Sequence, residues 1–141
     1  MVRRQPPQRG DVYWIDPNPV AGREMMNRHR FVVITPREIN ALGVSMTVPV
    51  TSGGNFSRNM GLAVAITGHE TNGVAVCNQV RSFDIEQRVR DGTAKFIERL
   101  DDVTMSDIVD RVISAIDPLS CSAYEEQLIS KCLPHSGGRS A

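Results

Sequence analysis

The sequence predicts a small, strongly curved antiparallel β-barrel with one C-terminal helix, a mainly β fold with some α. Three observations predict it. Short runs rich in Val, Ile and aromatics recur between Gly, Pro and Asn turn signals. A single amphipathic pattern of helical period follows them, late in the chain. And 141 residues suffice for one buried core, not for several.

Five runs read as strands: 11–15 (DVYWI), 31–35 (FVVIT), 46–50 (MTVPV), 62–66 (LAVAI) and 73–77 (GVAVC). Segments 81–84 and 94–100 predict two more. Between them lie a long Pro- and Gly-containing loop at 16–29, a helical turn at 36–41 and the loop TSGGNFSRNM at 51–60. For the helix, Thr104 is the expected N-cap, with Asp107 favouring the positive end of the dipole. Ile108, Val109, Val112, Ile113 and Ile116 then fall on one face, and Asp117-Pro118 stops the helix. Strands in close succession with one helix after them pack as a curved sheet crossed by that helix. The organisation expected is a flexible arm at 1–8, one domain at 9–117 and an extension at 118–141. The extension ends in HSGGRSA, so partial disorder is expected there, with a candidate short helix at 123–131.

Composition excludes several classes. Lys plus Arg and Asp plus Glu both number 16, and 40% of residues are apolar, which is ordinary globular composition and not that of a disordered or collagen-like chain. No apolar run approaches the ~18–20 residues that span a bilayer. MVRRQPPQ lacks the apolar stretch of an export signal, so the cytoplasm is the expected location. Cys77, Cys121 and Cys132 contain no CxxC, which argues against both a zinc knuckle and a disulfide framework. The zero net charge is unevenly spread: residues 1–81 carry +4 and residues 82–141 carry −4. Fourteen of the sixteen basic residues are Arg. Arginine's planar fork suits phosphate and base edges, although a genome rich in Arg codons produces the same count.

One set of motifs is far more specific than composition. Arg9-Gly10-Asp11-Val12 with Asp16-Pro17, Gly22-x-Glu24, Arg30, the block VPVTSGGNF from Val48 to Phe56, and Asn78-Gln79-Val80-Arg81 follow one another in order. Together they resemble the MazF/PemK family, closest to its PemK and ChpB branch, from about Arg9 to Pro118. The resemblance implies an SH3-like barrel with a C-terminal helix, acting as a homodimeric, metal-independent endoribonuclease toxin. Such a toxin cuts single-stranded mRNA and is silenced by a labile acidic antitoxin. Promoter DNA would be bound only through the toxin–antitoxin complex.

Cutting RNA without metal needs a base for the 2′-OH, an acid for the 5′-oxygen and positive charge beside the phosphorane. The chain has no HExxH, no DxD-like carboxylate cluster and no Cys/His ligand set, so no metal or other cofactor is expected. His29, His69 and His135 offer a two-histidine mechanism only if the fold unites them. By resemblance, Glu24 is the general base or proton-positioning group, Arg30 stabilises phosphorane charge, and Thr51 completes the catalytic set. Arg23, Ser52, Asn55, Phe56, Asn78, Gln79 and Arg81 are the implied RNA-binding residues. Each has a plainer reading. Glu24 and Arg30 would make a surface ion pair worth ~0–1 kcal/mol. The glycines after Thr51 and Ser52 would only permit positive φ. Phe56 would anchor its loop, Gln79 would bond backbone, and Arg81 would pair with Asp84.

The chain also departs from the family pattern. Val76 and Asn78 stand where the best-known PemK branch has an arginine and an aspartate, so that proton relay cannot be copied. Arg23 replaces a histidine, Met25 and Asn27 replace Gln and Gly, and Phe31 replaces a proline. Two rival readings remain. One is a non-catalytic poison on the same barrel, like the gyrase-binding CcdB toxins. The other is an attenuated nuclease surviving as an antitoxin-dependent corepressor.

Overall fold

A computed structural model describes residues 5–17, 29–52 and 61–118. Seven strands form one antiparallel sheet: β1 (Asp11–Ile15), β2 (His29–Val33), β3 (Ser45–Thr51), β4 (Ala63–Ile66), β5 (Gly73–Val76), β6 (Arg81–Phe83) and β7 (Ala94–Arg99). Their order is β4-β5-β3-β2-β1-β7, with β6 also on β3. Helices α1 (Arg37–Asn40), α2 (Ile85–Arg90) and α3 (Asp102–Ile116) complete the described fold. The expected class, a curved antiparallel sheet carrying a C-terminal helix, is the one observed.

Strand β3 serves three neighbours. It pairs with β2 along Thr47–Val50, with β5 at Val50 and Thr51, and with β6 at Ser45–Thr47. Pro49 falls in the gap between β5 and β6, where a residue without an N–H disturbs the ladder least. Strand alternation then divides the apolar residues into two cores. One face presents Val12, Val32, Val48, Val50, Ala75 and Val64, covered by Met105, Ile108 and Val112 of α3. The other presents Ile15, Phe31 and Val33 to Phe83, Ile85 and Ala94. There Phe31 and Phe83 meet edge to face, 5.0 Å between ring centroids.

Three expectations need correction. Segment 85–90 forms α2, too short to show a period in the sequence; Asp84 caps it, accepting from the Gln87 N–H at 3.0 Å. The N-cap of α3 is Asp101 rather than Thr104. The Asp101 carboxylate accepts both the Thr104 N–H, at 2.9 Å, and the Thr104 hydroxyl, at 2.8 Å. Of the five residues expected on the inner face of α3, Ile108 and Val112 are buried, whereas Ile113 is 45% and Ile116 71% exposed. Met105, one turn earlier, is buried in their place, because the helix starts earlier, at Asp102. Of the predicted arm at 1–8, residues 1–4 lie outside the described residues, while the Pro7 carbonyl accepts from Asn40 Nδ2 at 2.8 Å; of the predicted extension at 118–141, residues 119–141 lie outside them.

Sheet order places β4 and β7 at opposite ends, yet the turn between β4 and β5 reaches β7. The Glu98 carboxylate of β7 accepts the Glu70 N–H at 3.3 Å and also accepts the Thr71 N–H. These contacts help close the curved sheet on itself.

Candidate active site

Arg30 lies near the start of β2, opposite Trp14 of β1 and Val50 of β3. Its Nη1 donates to the Thr71 hydroxyl at 3.0 Å, its Nη2 approaches Glu70 Oε2 at 3.5 Å, and its guanidinium lies 5.6 Å from the centre of the Trp14 ring. The side chain remains 23% exposed. Its partners therefore fix the guanidinium in place without enclosing it, which is the condition for binding an anion from solvent.

Thr51 ends β3 on the neighbouring strand, half-buried, and Ser52 follows, exposed. The Thr51 carbonyl is crowded against Gly73 of β5. A Cβ at Gly73 would lie 2.5 Å from that oxygen, and the glycine's φ is +148°. Because Arg30 pairs with Val50 in an unshifted register, alternation sends the Arg30 and Thr51 side chains to opposite faces of the sheet. Segments 18–28 and 53–60 join the sheet at this same end, since one enters β2 and the other leaves β3. Glu24 and Arg23 belong to the first segment, Asn55 and Phe56 to the second; all four lie outside the described residues.

The Asn78–Arg81 block is farther away. Arg81 pairs with Thr47, four positions along β3 from Thr51, or about 13 Å at ~3.3 Å per residue. Thr47, Arg81 and Thr51 share one face, the one that carries the second core. Asn78 is exposed in a turn that the Gln79 N–H closes onto the Val76 carbonyl at 3.2 Å. The Arg81 guanidinium stacks 5.1 Å from the Phe83 ring, and its Nη1 is buried without a hydrogen-bond partner among the described residues. The Arg81–Asp84 pairing is not formed, since Asp84 caps α2. Val76 is fully buried and takes no part in a polar relay. Burial pushes the Cys77 thiol up to about 11, leaving no nucleophilic thiolate near neutral pH.

Trp14, Thr71, Glu98 and Asp101 were missed from sequence, and His69 was named there only as part of a two-histidine pair. Thr71 is 41 positions from the arginine it binds, and no local pattern reports such a contact. His69 lies between two carboxylates, with Nε2 at 2.7 Å from Asp101 Oδ1 and Nδ1 at 3.5 Å from Glu98 Oε1. The bond to Asp101 is the main cause of a His69 pKa above its ordinary 6.5. The same bond, with those from Thr104, holds the Asp101 carboxyl well below its usual range. Burial alone would raise Glu98, but hydrogen bonds from Thr71 and Glu70 bring it below 4.5.

These shifts fix the sign of a pH dependence. The His69 contribution to stability is full below 6.5 and disappears as pH rises through the raised value. The carboxylate contributions are full above their ordinary values and disappear as pH falls through the lowered ones. Thermal unfolding should therefore show a maximum midpoint between about pH 4.5 and 6.5. His69→Gln should flatten the alkaline side of that curve; an unchanged alkaline side would mean that His69 carries no charge in the fold.

The comparisons with known proteins agree with one another. A family model described as PemK-like, MazF-like toxin of type II toxin–antitoxin systems matches residues 8–116. The chain is 34% identical over 116 residues to endoribonuclease PemK of Escherichia coli, spanning 79% of this chain and 84% of that protein. MazF from Deinococcus radiodurans shares the fold with a TM-score of 0.68 at 23% identity, over 80% of this chain and 98% of its own. A MazE–MazF structure from the same organism aligns with a TM-score of 0.63 at 19% identity, over 81% and 98%.

Proposed function

Because the chain belongs to the PemK-like, MazF-like toxins of type II toxin–antitoxin systems, we propose that Arg30 is the charge-stabilising group of a metal-independent cut in single-stranded mRNA. The protein is an endoribonuclease toxin, and an antitoxin is its partner. The observation that carries the proposal is the partly exposed guanidinium held at the sheet end where the segments bearing Glu24 and following Thr51 attach.

In the proposed reaction the ribose 2′-oxygen bonds to the adjacent phosphorus as Glu24 takes its proton. The P–O5′ bond breaks, and the 5′-oxygen leaves by taking a proton from solvent water. The products are a 2′,3′-cyclic phosphate and a 5′-OH. Charge on the equatorial phosphoryl oxygens grows along this path, and Arg30 offers two N–H groups in a planar fork to meet it. Such a fixed cation substitutes for the Lewis acid of a metal-dependent nuclease. Among the described residues no three His, Cys, Asp or Glu side chains gather as metal ligands.

Thr51, Ser52 and Arg81 would hold phosphates along one face, with Asn78 and Gln79 reading bases at its far end. Arg23, Asn55 and Phe56 would contribute from the adjoining segments, because unpaired bases are recognised by edge contacts and stacking. An acidic antitoxin segment would compete for the same arginines and fold on binding. We infer a homodimer by family likeness. No described helix is long and apolar enough to cross a membrane, and an mRNA substrate would place the toxin in the cytoplasm.

Purified protein should cut a mixed-sequence single-stranded RNA in EDTA, with mass spectrometry finding 2′,3′-cyclic phosphate or its 3′-phosphate product. Loss of cutting on chelation, restored by a divalent ion, would overturn the metal-independent mechanism.

A further inference from the structure

We propose that Glu98 is a positioning residue for Arg30, acting across the barrel through the turn between β4 and β5. The proposal rests on the role given to Arg30 above. The turn supplies both groups that hold the Arg30 head, the Thr71 hydroxyl and the Glu70 carboxylate. A six-residue excursion, 67–72, containing Gly68 at φ +80° has little stiffness of its own. Its position comes from β7: one Glu98 carboxylate receives the backbone N–H groups of both Glu70 and Thr71. His69, between those residues and Gly68, is tied to Glu98 and to the Asp101 cap of α3.

The geometry is that of a lever. Glu98 pairs with Val12, and Arg30 pairs with Trp14 two positions along β1, so alternation puts Glu98 and Arg30 on the same face. The turn bridges them there. Thr71 is wholly buried, so its hydroxyl cannot turn to solvent when the backbone beneath it is held. Two consecutive N–H donors converging on one carboxylate fix the direction of the Thr71 Cα–Cβ bond, and with it the hydroxyl that receives Nη1. Glu70 is 67% exposed, and its weak ion pair alone would not fix the fork. Thr71 therefore carries the alignment, and Glu98 sets Thr71.

Glu98→Gln keeps the volume but removes one of the two acceptors the turn needs. We expect kcat on a cleavable RNA oligonucleotide to fall about 10- to 100-fold with KM changed less than about twofold, since sub-ångström misplacement of a catalytic group costs this much. Thr71→Val should fall in the same way, and Thr71→Ser, which retains the hydroxyl, should recover most of the rate. In an Arg30→Lys background Glu98→Gln should add little, because both changes act on one group. The Arg30 Nε–H resonance in a ¹⁵N spectrum should be sharp in the parent and broadened in Glu98→Gln. An unchanged kcat in Glu98→Gln, with a lowered unfolding midpoint, would reduce Glu98 to a closure contact and overturn the proposal. Should Glu98→Gln fail to fold, the Thr71→Val and Thr71→Ser pair decides: equal rates in both also overturn it. Full cutting by Arg30→Ala is a different failure, because it would remove the catalytic reading itself.

Discussion

Arg30→Ala should lower RNA cutting by about 10²- to 10³-fold, the usual effect of removing a preorganised donor from a developing oxyanion, while the protein stays folded. The two halves of this expectation have separate physical grounds. Stability is little affected because the interactions lost are modest. The cation–π contact with Trp14 is worth about 0.5–1 kcal/mol at a partly exposed site. The Glu70 pair is worth ~0–1 kcal/mol. Leaving the buried Thr71 hydroxyl without its donor costs about 1 kcal/mol, because a hydroxyl can reorient toward another partner. The loss is a fraction of the ~5–15 kcal/mol that holds a small domain. The proposed catalysis, by contrast, has no second fixed fork at this position among the described residues: Arg81 lies on the other face, opposite Thr47 and three positions along β3 from Val50, or about 10 Å at ~3.3 Å per residue. Arg30→Lys should fall between the two, because an ammonium keeps the charge but loses the bidentate geometry. Initial rates on a fluorogenic oligonucleotide, with circular dichroism and thermal midpoints as folding controls, would check all three proteins. Parent-like cutting by a folded Arg30→Ala would dismiss the mechanism.

The parts of this fold that were legible in the sequence are those governed by local rules. Alternation of Val12, Val32, Val48 and Val50 with residues of the opposite face follows from the two-residue period, and all seven strands fall within two residues of their expected bounds. The helix α2 was not legible, because six residues bounded by an Asp cap give no period to read. The start of α3 was misplaced because Asp101 and Thr104 are both good caps, and the choice between them depends on His69, 32 positions earlier. Arg30, Thr51 and Arg81 were legible as chemistry-bearing residues through the order of their motifs. Their distribution over two faces was not, because it depends on register: Arg30 opposite Val50, and Thr47 opposite Arg81. The set of groups holding Arg30 was less legible still. Trp14 reads as one more apolar strand residue, and Thr71 and Glu98 read as turn and surface positions. Each gains its role only when the sheet curls far enough to bring the β4–β5 turn onto β7.

That curling gives the closing contacts two consequences at once. The His69–Asp101 and Glu98–turn bonds stabilise the barrel, and they also determine where the Arg30 head rests. A change of pH through the His69 range should therefore alter both the unfolding midpoint and the catalytic rate, in the same direction.

The largest effect on stability is expected at the next residue of the same strand. Phe31→Ala should cost about 3–5 kcal/mol, the typical range for emptying a fully buried aromatic site, and so remove a large part of the total stability. Phe31 has no exposed surface, and its ring meets Phe83 at an interplanar angle of 77°. Around it Ile15, Val33 and Ile85 complete the second core. None of them can swing into the vacated volume, because each is fixed by a strand or by the short α2. This also explains why a phenylalanine can stand where the family pattern has proline: the ring fills the space over Phe83, which a pyrrolidine would leave open. Phe31→Pro should therefore be no less damaging than Phe31→Ala, since it leaves a cavity and also removes an N–H next to the Arg30–Val50 pair. Phe31→Leu, which keeps most of the volume, should cost clearly less. Chemical denaturation of the three variants gives the order directly. A Phe31→Ala midpoint equal to the parent's would mean that the second core contributes little and that α3 alone holds the sheet. Arg30 adjoins Phe31 along β2, so the same variant should also blunt cutting at temperatures well below its unfolding transition, as the strand that aims the guanidinium loosens before the domain melts.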